Sequence, residues 1–292
     1  MYPEFKEVTL EDKELVESIT KRFLPYCDFN FSNIYNWSSP KNPTRFSILN
    51  NNLVIKMKNF TDETEIVSFI GDTELINTID TLLNEFTELS MIPSECIPPE
   101  FTEDARFIVE EDINNHDYIV SAQELVELKG NKYKTKRHWV KTFLKNCPVK
   151  VEVITSPDAE LTRKILLLTE KWSKVKNTNV TDESHALERL LFTYHVYNLL
   201  FICMFDDGEL IGFATNEIVR PEYAIGSFGK AIISYKGIYQ FLEHTAAKTL
   251  FDKGIKYLNI EQDLGKPGLR ESKRSYRPVT LLKKYKIRRS GS

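Results

Sequence analysis

Residues 257–278 read YLNIEQDLGKPGLRESKRSYRP, and the parsing of this stretch decides the architecture. Tyr257, Leu258 and Ile260 are apolar, while Asn259, Glu261 and Asp263 repeat at every second position. That alternation predicts a strand with its polar groups on one face. Leu264-Gly265-Lys266-Pro267-Gly268 then turns the chain, with a proline suited to open a helix. A short helix up to Pro278 would carry Arg270, Lys273, Arg274 and Arg277, whose offsets of three, four and seven residues gather them on one side. Two carboxylates at a strand end facing four cations suit a site better than a core.

The frame around this stretch is that of a folded protein. A chain of 292 residues suits two domains of roughly 100–200 residues each. With 41% hydrophobic and 12% aromatic residues it can bury sizeable cores. The longest apolar run, Leu199–Phe205, falls far short of the ~20 residues of a membrane span. The N-terminus is mixed in charge and has no apolar signal core, which predicts a cytoplasmic protein. Cys27, Cys96, Cys147 and Cys203 are scattered without a CxxC pair and read as reduced, buried thiols.

The net charge of -3 hides two basic concentrations. Lys129–Lys150 holds eight Lys/Arg and no acid, and Lys266–Arg289 holds ten against Glu271 alone, which leaves -20 for the remainder. A single such run reads as a solvated helix face, but two in an acidic chain fit a polyanion-binding surface equally well. Lys132, Lys136 and Arg137 are candidates to hold phosphates. Arg270, Lys273 and Arg277 are the second set of candidate substrate ligands, with an ion-pair network to Glu261 and Asp263 as the competing reading.

In order, the chain shows two passes through one plan. Helix Leu10–Phe23, an aromatic segment YCDFNFSNIYNW, a strand pair around Asn50-Asn51, strand Glu65–Ile70 and helix Thr73–Phe86 come first. The capped helical start at Ser121 and the basic helix Lys134–Lys145 close the first pass, ended by Pro148. Strand Val149–Ile154, helices Asp158–Lys174 and Asp182–Asn198, a hairpin turning at Asp207-Gly208, strand Tyr223–Ser234 and helix Ile238–Lys253 form the second. Stretch 257–278 and a closing strand Thr280–Arg288 complete it. The predicted domains are therefore 1–148 and 149–292.

This order resembles that of the GNAT acyltransferases. Three stretches are similar to the phosphatidylglycerol lysyltransferase C-terminal domain family: YCDFNFSNIYNW, DYIVSAQELVELKGNKYKTKR (117–137) and NIEQDLGKPGLRESKRSYRP (259–278). That resemblance implies an α+β fold of two tandem GNAT-like domains, each a mixed, mostly antiparallel sheet flanked by helices. It also implies kinship with Fem-type transferases that use aminoacyl-tRNA. In this reading Glu261 or Asp263 serves as a base or an anchor for an acceptor amine. Tyr276 gives a proton to the leaving group, a task GNAT enzymes often assign to a tyrosine on this helix. The GNAT pyrophosphate loop corresponds to Ser234–Tyr239, where Gly237 alone agrees and stands as the candidate cofactor residue. Tyr239 places a ring where close backbone approach is needed, so no tightly bound cofactor is expected.

The sequence thus predicts an acyl- or aminoacyltransferase whose donor, aminoacyl-tRNA or acyl-CoA, binds as a co-substrate. The acceptor is an amine or hydroxyl of a small molecule, peptide or lipid headgroup, and tRNA is the expected macromolecular partner. A CoA-dependent N-acetyltransferase and a non-catalytic RNA-binding module are the alternatives. The five histidines lack metal-ligand spacing, Trp37, Trp139 and Trp172 read as core, and no nucleophile elbow is present.

Overall fold

The structure, a computed structural model, describes residues 4–59, 64–102, 104–176 and 181–291. In chain order the first elements are β1 (Lys6–Glu7), α1 (Lys13–Thr20), α2 (Phe31–Asn36), β2 (Arg45–Leu49), β3 (Asn52–Lys58), β4 (Glu65–Ile70), α3 (Leu75–Leu83), β5 (Glu88–Pro93) and β6 (Phe107–Glu111). Then come β7 (Asp117–Ser121), α4 (Ala122–Glu127), α5 (Lys134–Asn146), β8 (Lys150–Ile154), α6 (Ala159–Lys176), α7 (Thr181–Thr193), β9 (Leu199–Asp206) and β10 (Glu209–Arg220). The chain ends with β11 (Tyr223–Ala231), α8 (Ile238–Phe251), β12 (Tyr257–Asn259), α9 (Pro267–Ser275), β13 (Thr280–Leu282) and β14 (Lys284–Arg289). The expected α+β class is the observed one. No described helix is long and apolar enough to cross a membrane.

The chain forms two compact units. The first comprises Met1–Tyr118, Gln262–Ser272 and Leu281–Ser292, and the second Ile119–Glu261 and Lys273–Thr280. The predicted division at 148/149 differs from this one. Pro148 ends a helix, and the end of an element is not the end of a domain. Segment 119–148 belongs to the second unit because α4 and α5 lay their apolar faces on α8. Segment 281–292 returns to the first because β14 is the central strand of a sheet there.

The first unit holds an antiparallel sheet in the order β1-β2-β3-β4 and a smaller one in the order β5-β14-β6. The turn between β2 and β3 uses Asn50 and Asn51, both at positive φ, as a two-residue hairpin requires. In the second unit the sheet order is β7-β12-β11-β10-β9-β8, with β13 beside β7 at the edge. All pairs in that order are antiparallel except β11 with β12, which α8 connects as a crossover. Ile238, Phe241, Leu242, Ala246, Ala247 and Leu250 bury α8 in the core of this unit, and Phe241 stacks on Phe143 of α5 with centroids 5.0 Å apart.

The predicted strand face at Asn259, Glu261 and Asp263 is not formed. β12 stops at Asn259 because the Asn259 Oδ1 accepts from the Glu261 N–H at 2.7 Å, an Asx turn that sends Glu261 to φ 60°. A second Asx turn follows, with Asp263 Oδ1 accepting from Gly265 N–H at 2.8 Å. A period of two in short polar residues therefore came from successive turns. The expected closing strand is likewise two, β13 and β14, which join different sheets.

Candidate active site

Helix α5 buries Lys136, Val140 and Phe143, spaced four and three residues apart, so a lysine begins its apolar stripe. The Lys136 Nζ donates to Ser275 Oγ at 2.9 Å and lies 3.2 Å from the centroid of the Tyr276 ring. Burial pushes its pKa down to about 8, against the pull of Glu243 and with the help of the Arg277 cation. Lys136 is thus poised between its two protonation states near neutral pH.

Glu243 comes from α8, next to the buried Leu242 of its apolar face. Burial raises its pKa above the ordinary carboxylate value, and the charges of Lys136 and Lys273 oppose this less strongly. Among the described residues it has no hydrogen-bond or ion-pair partner. Tyr276 follows α9, and burial together with the Glu243 charge pushes its phenol well above the usual value. Its hydroxyl also has no partner among the described residues. Tyr133 fixes the Tyr276 backbone: its own hydroxyl lies 2.9 Å from a Glu124 carboxylate oxygen and 3.2 Å from the Tyr276 carbonyl. Lys273 donates to the Ile260 carbonyl. Lys136, Glu243, Lys273, Tyr276 and the exposed Arg277 form one charged cluster of the second unit.

The remaining predicted site residues have other employment. Asp263 is fully buried and Arg270 holds it with two bonds, at 2.7 and 2.9 Å, while the Tyr118 hydroxyl donates to it at 2.6 Å. Burial would raise its pKa, but these bonds and the Gly265 N–H outweigh that and hold it below 3.8. A carboxylate so stabilised is a poor base, and the pair fixes the turn to α9 within the first unit. Arg277 lies beyond α9 at φ 55°, so the four cations do not share a helix face. Lys132 pairs with Glu124 at 2.6 Å on the surface. Arg137 donates to the Leu128 carbonyl and, at 2.8 Å, to that of Gly130, capping the end of α4.

Gly237 sits at φ 88° immediately before α8. A Cβ there would lie 2.2 Å from the Trp139 carbonyl oxygen, so packing of α8 against α5 accounts for the glycine. Tyr239 turns inward, accepting from Trp172 Nε1 at 2.6 Å and from the Ala231 N–H at 3.2 Å. The first unit contains another buried cluster, with Cys27, Asp28 and Asp117 donor atoms all within 4.8 Å of one another. Lys284, fully buried, donates to both carboxylates, 2.6 Å from Asp117 Oδ1, and supplies their counter-charge.

A profile of the family described as phosphatidylglycerol lysyltransferase, C-terminal, matches residues 21–288. The chain belongs to this family. No curated protein matches the sequence. A conserved protein of unknown function from Bacteroides thetaiotaomicron shares 27% identity, with a TM-score of 0.84 over 99% of this chain and 100% of its own. The C-terminal domain of a putative lysylphosphatidylglycerol synthetase from Agrobacterium fabrum superposes at TM-score 0.65 with 15% identity, over 96% of this chain and 92% of its own. FemX superposes at 0.55 with 9% identity, over 97% and 96%. Within this lysyltransferase C-terminal family member, Glu243 of the charged cluster is a residue that sequence reading passed over. The available signal was the one acid of the amphipathic helix IYQFLEHTAAKTLF, one position from its apolar stripe.

Proposed function

We propose that the protein is an acyltransferase that passes an aminoacyl group from an ester donor, aminoacyl-tRNA, to an amine or hydroxyl acceptor. Family membership and fold support acyl transfer. The finer reading rests on the pairing of an unpartnered carboxylate, Glu243, with an unpartnered phenol, Tyr276, beside the Lys136 cation. In this scheme the acceptor heteroatom attacks the carbonyl carbon, Glu243 takes its proton, and the bond to the leaving oxygen breaks as Tyr276 protonates that oxygen. Lys136 stabilises the negative charge as it develops.

The nature of the acid separates donors. A phenol with a pKa well above 10 suits protonation of an alkoxide leaving group, whereas a thiolate, whose conjugate acid has a pKa of about 8.5, leaves without help. The site therefore favours an ester over a thioester. The absence of a match at Ser234 and Tyr239 to a pyrophosphate loop points the same way.

The test is transfer of a labelled amino acid from charged tRNA to a panel of small amines and to phosphatidylglycerol vesicles, with wild type and Glu243→Gln. Transfer by wild type that collapses in the variant is the expected result. Failure of every acceptor, with clear thermal stabilisation by acetyl-CoA, would replace this reading with a CoA-dependent N-acetyltransferase. RNA binding that survives Glu243→Gln, Glu261→Ala and Asp263→Ala without any transfer would make the protein a binding module.

A further inference from the structure

We infer that the protein forms a homodimer in which β8 of one copy pairs antiparallel with β8 of a second, about a two-fold axis at Val151. β8 ends the sheet of the second unit and has β9 on one side only. Its five residues pair with Phe201–Phe205 of β9 without a bulge, so the other edge presents an unbroken row of backbone groups. Among the described residues no strand lies beside that edge.

The two edges of this sheet are built differently. At the far edge stands β13, three residues long and just after Pro278, a short strand of the kind that blunts an edge. β8 has neither device. Residues 149–154 read VKVEVI, β-branched at four of six positions, without Gly or Pro and with no net charge. An open segment of this composition pairs readily with another strand, and its Val153 is 44% exposed.

The charges select the partner and the register. Lys150 and Glu152 alternate with the valines and lie on one face, where they pair at 2.7 Å with side chains 75% and 38% exposed. Charges on an edge commonly keep other strands away. A second copy of this chain can instead satisfy them. With Val151 on a two-fold axis normal to the sheet, Lys150 faces the partner's Glu152 and Glu152 faces the partner's Lys150. Val151 then faces its own counterpart, and Val149 faces the partner's exposed Val153. An axis at Lys150 or at Glu152 sets like charges opposite each other, and one at Val153 leaves Glu152 facing an isoleucine. Facing opposite charges and β-branched pairs stabilise an antiparallel ladder, whereas facing like charges weaken it. Val149 and Val151 already pack against the core beneath α5 and α8, so pairing in this register carries that core across the axis.

The inference is independent of the proposed reaction. Its test is sedimentation velocity of the full chain over a concentration series, in which wild type should dimerise. Lys150→Glu and Glu152→Lys each set two like-charge pairs across the axis and should each weaken the dimer about 10-fold or more. Mixed in equal amounts, the two variants should associate again, and so should the double variant Lys150→Glu/Glu152→Lys by itself. Facing Cα atoms of an antiparallel pair lie about 4.5–5.5 Å apart, within reach of a disulfide. Val151→Cys should therefore cross-link two copies under mild oxidation, and Val153→Cys should not, since the native cysteines are all buried. Wild type that stays monomeric at millimolar concentration overturns the inference, as does a dimer that Lys150→Glu leaves intact. Coupling of Val151→Cys to a different protein in place of a second copy overturns it too.

Discussion

The Lys136 ammonium lies 3.2 Å from the centroid of the Tyr276 ring, and Glu243 is near enough for its charge to act on both. Three groups from α5, α8 and the segment after α9, Lys136 buried and the other two half-buried, thereby act on one another. Burial disfavours the charged form of Lys136, the Glu243 carboxylate favours it, and the Arg277 cation opposes it further. The balance at about 8 makes the charge of this lysine responsive to pH in the range where enzymes operate.

Transfer should follow a bell-shaped pH profile. The rate rises as Glu243 loses its proton, at a pH above the usual carboxylate range, and falls as Lys136 loses its cation near pH 8. Lys136→Gln should lower kcat by about 10²-fold and abolish the alkaline limb. Stability carries a separate signature. Between about 8 and 10.5 the unfolded chain holds a proton that native Lys136 has given up, so stability rises with pH across that window. Urea titrations at several pH values should show this rise in wild type and lose it in Lys136→Met.

Glu243→Gln replaces the proposed base without removing volume. It should reduce kcat by about 10²–10⁴-fold while leaving the melting temperature close to that of wild type, since the side chain makes no hydrogen bond among the described residues and its volume is kept. Glu261→Gln, at the turn after β12, should have a smaller effect. The opposite ranking of the two variants would move the base to Glu261.

Asp263→Asn should destabilise the protein by about 2–3 kcal/mol, because Arg270 and Tyr118 lose a charged acceptor. The sign with pH is fixed by the depressed pKa. The contribution is fully present above 3.8 and disappears as pH falls through the lower native value, so the variant should lack that acid-sensitive component. Denaturant midpoints between pH 2 and 6 measure it.

Lys284→Met leaves the Asp28 and Asp117 carboxylates buried without their counter-charge. A loss of about 3–5 kcal/mol is expected. A triple variant that also replaces Asp28 and Asp117 by Asn should recover much of it, as chemical denaturation will show.

Gly237→Ala adds a methyl group 2.2 Å from the Trp139 carbonyl at a positive φ. The left-handed backbone alone costs about 1 kcal/mol, and separation of α8 from α5 adds more. Gly254→Ala, also at positive φ but with open space around the added carbon, should cost the backbone component alone. Comparing their melting curves isolates the packing cost.

Much of the fold was legible in the sequence because its causes are local. The helices α5 and α8, the hairpin turn at Asp207-Gly208 with both residues at positive φ, and the positive-φ Gly254 in the turn after α8 all follow from short-range pattern and backbone preference. The three stretches that resemble the lysyltransferase C-terminal domains identified the family. The polar alternation at 259–263 misled, since Asn259 and Asp263 bend the backbone through Asx turns as readily as they would decorate a strand.

What only the tertiary structure decided is which charges are free. Asp263 and Arg270, the most conspicuous pair in the opening stretch, neutralise each other. Lys136 and Glu243, separated by more than a hundred residues, come close enough for their charges to interact in one partly buried cluster. A side chain's charge is written in the sequence, but its pKa and its availability depend on what covers it and what it pairs with. Those are set by contacts between distant segments, which the order of residues encodes only through the completed fold.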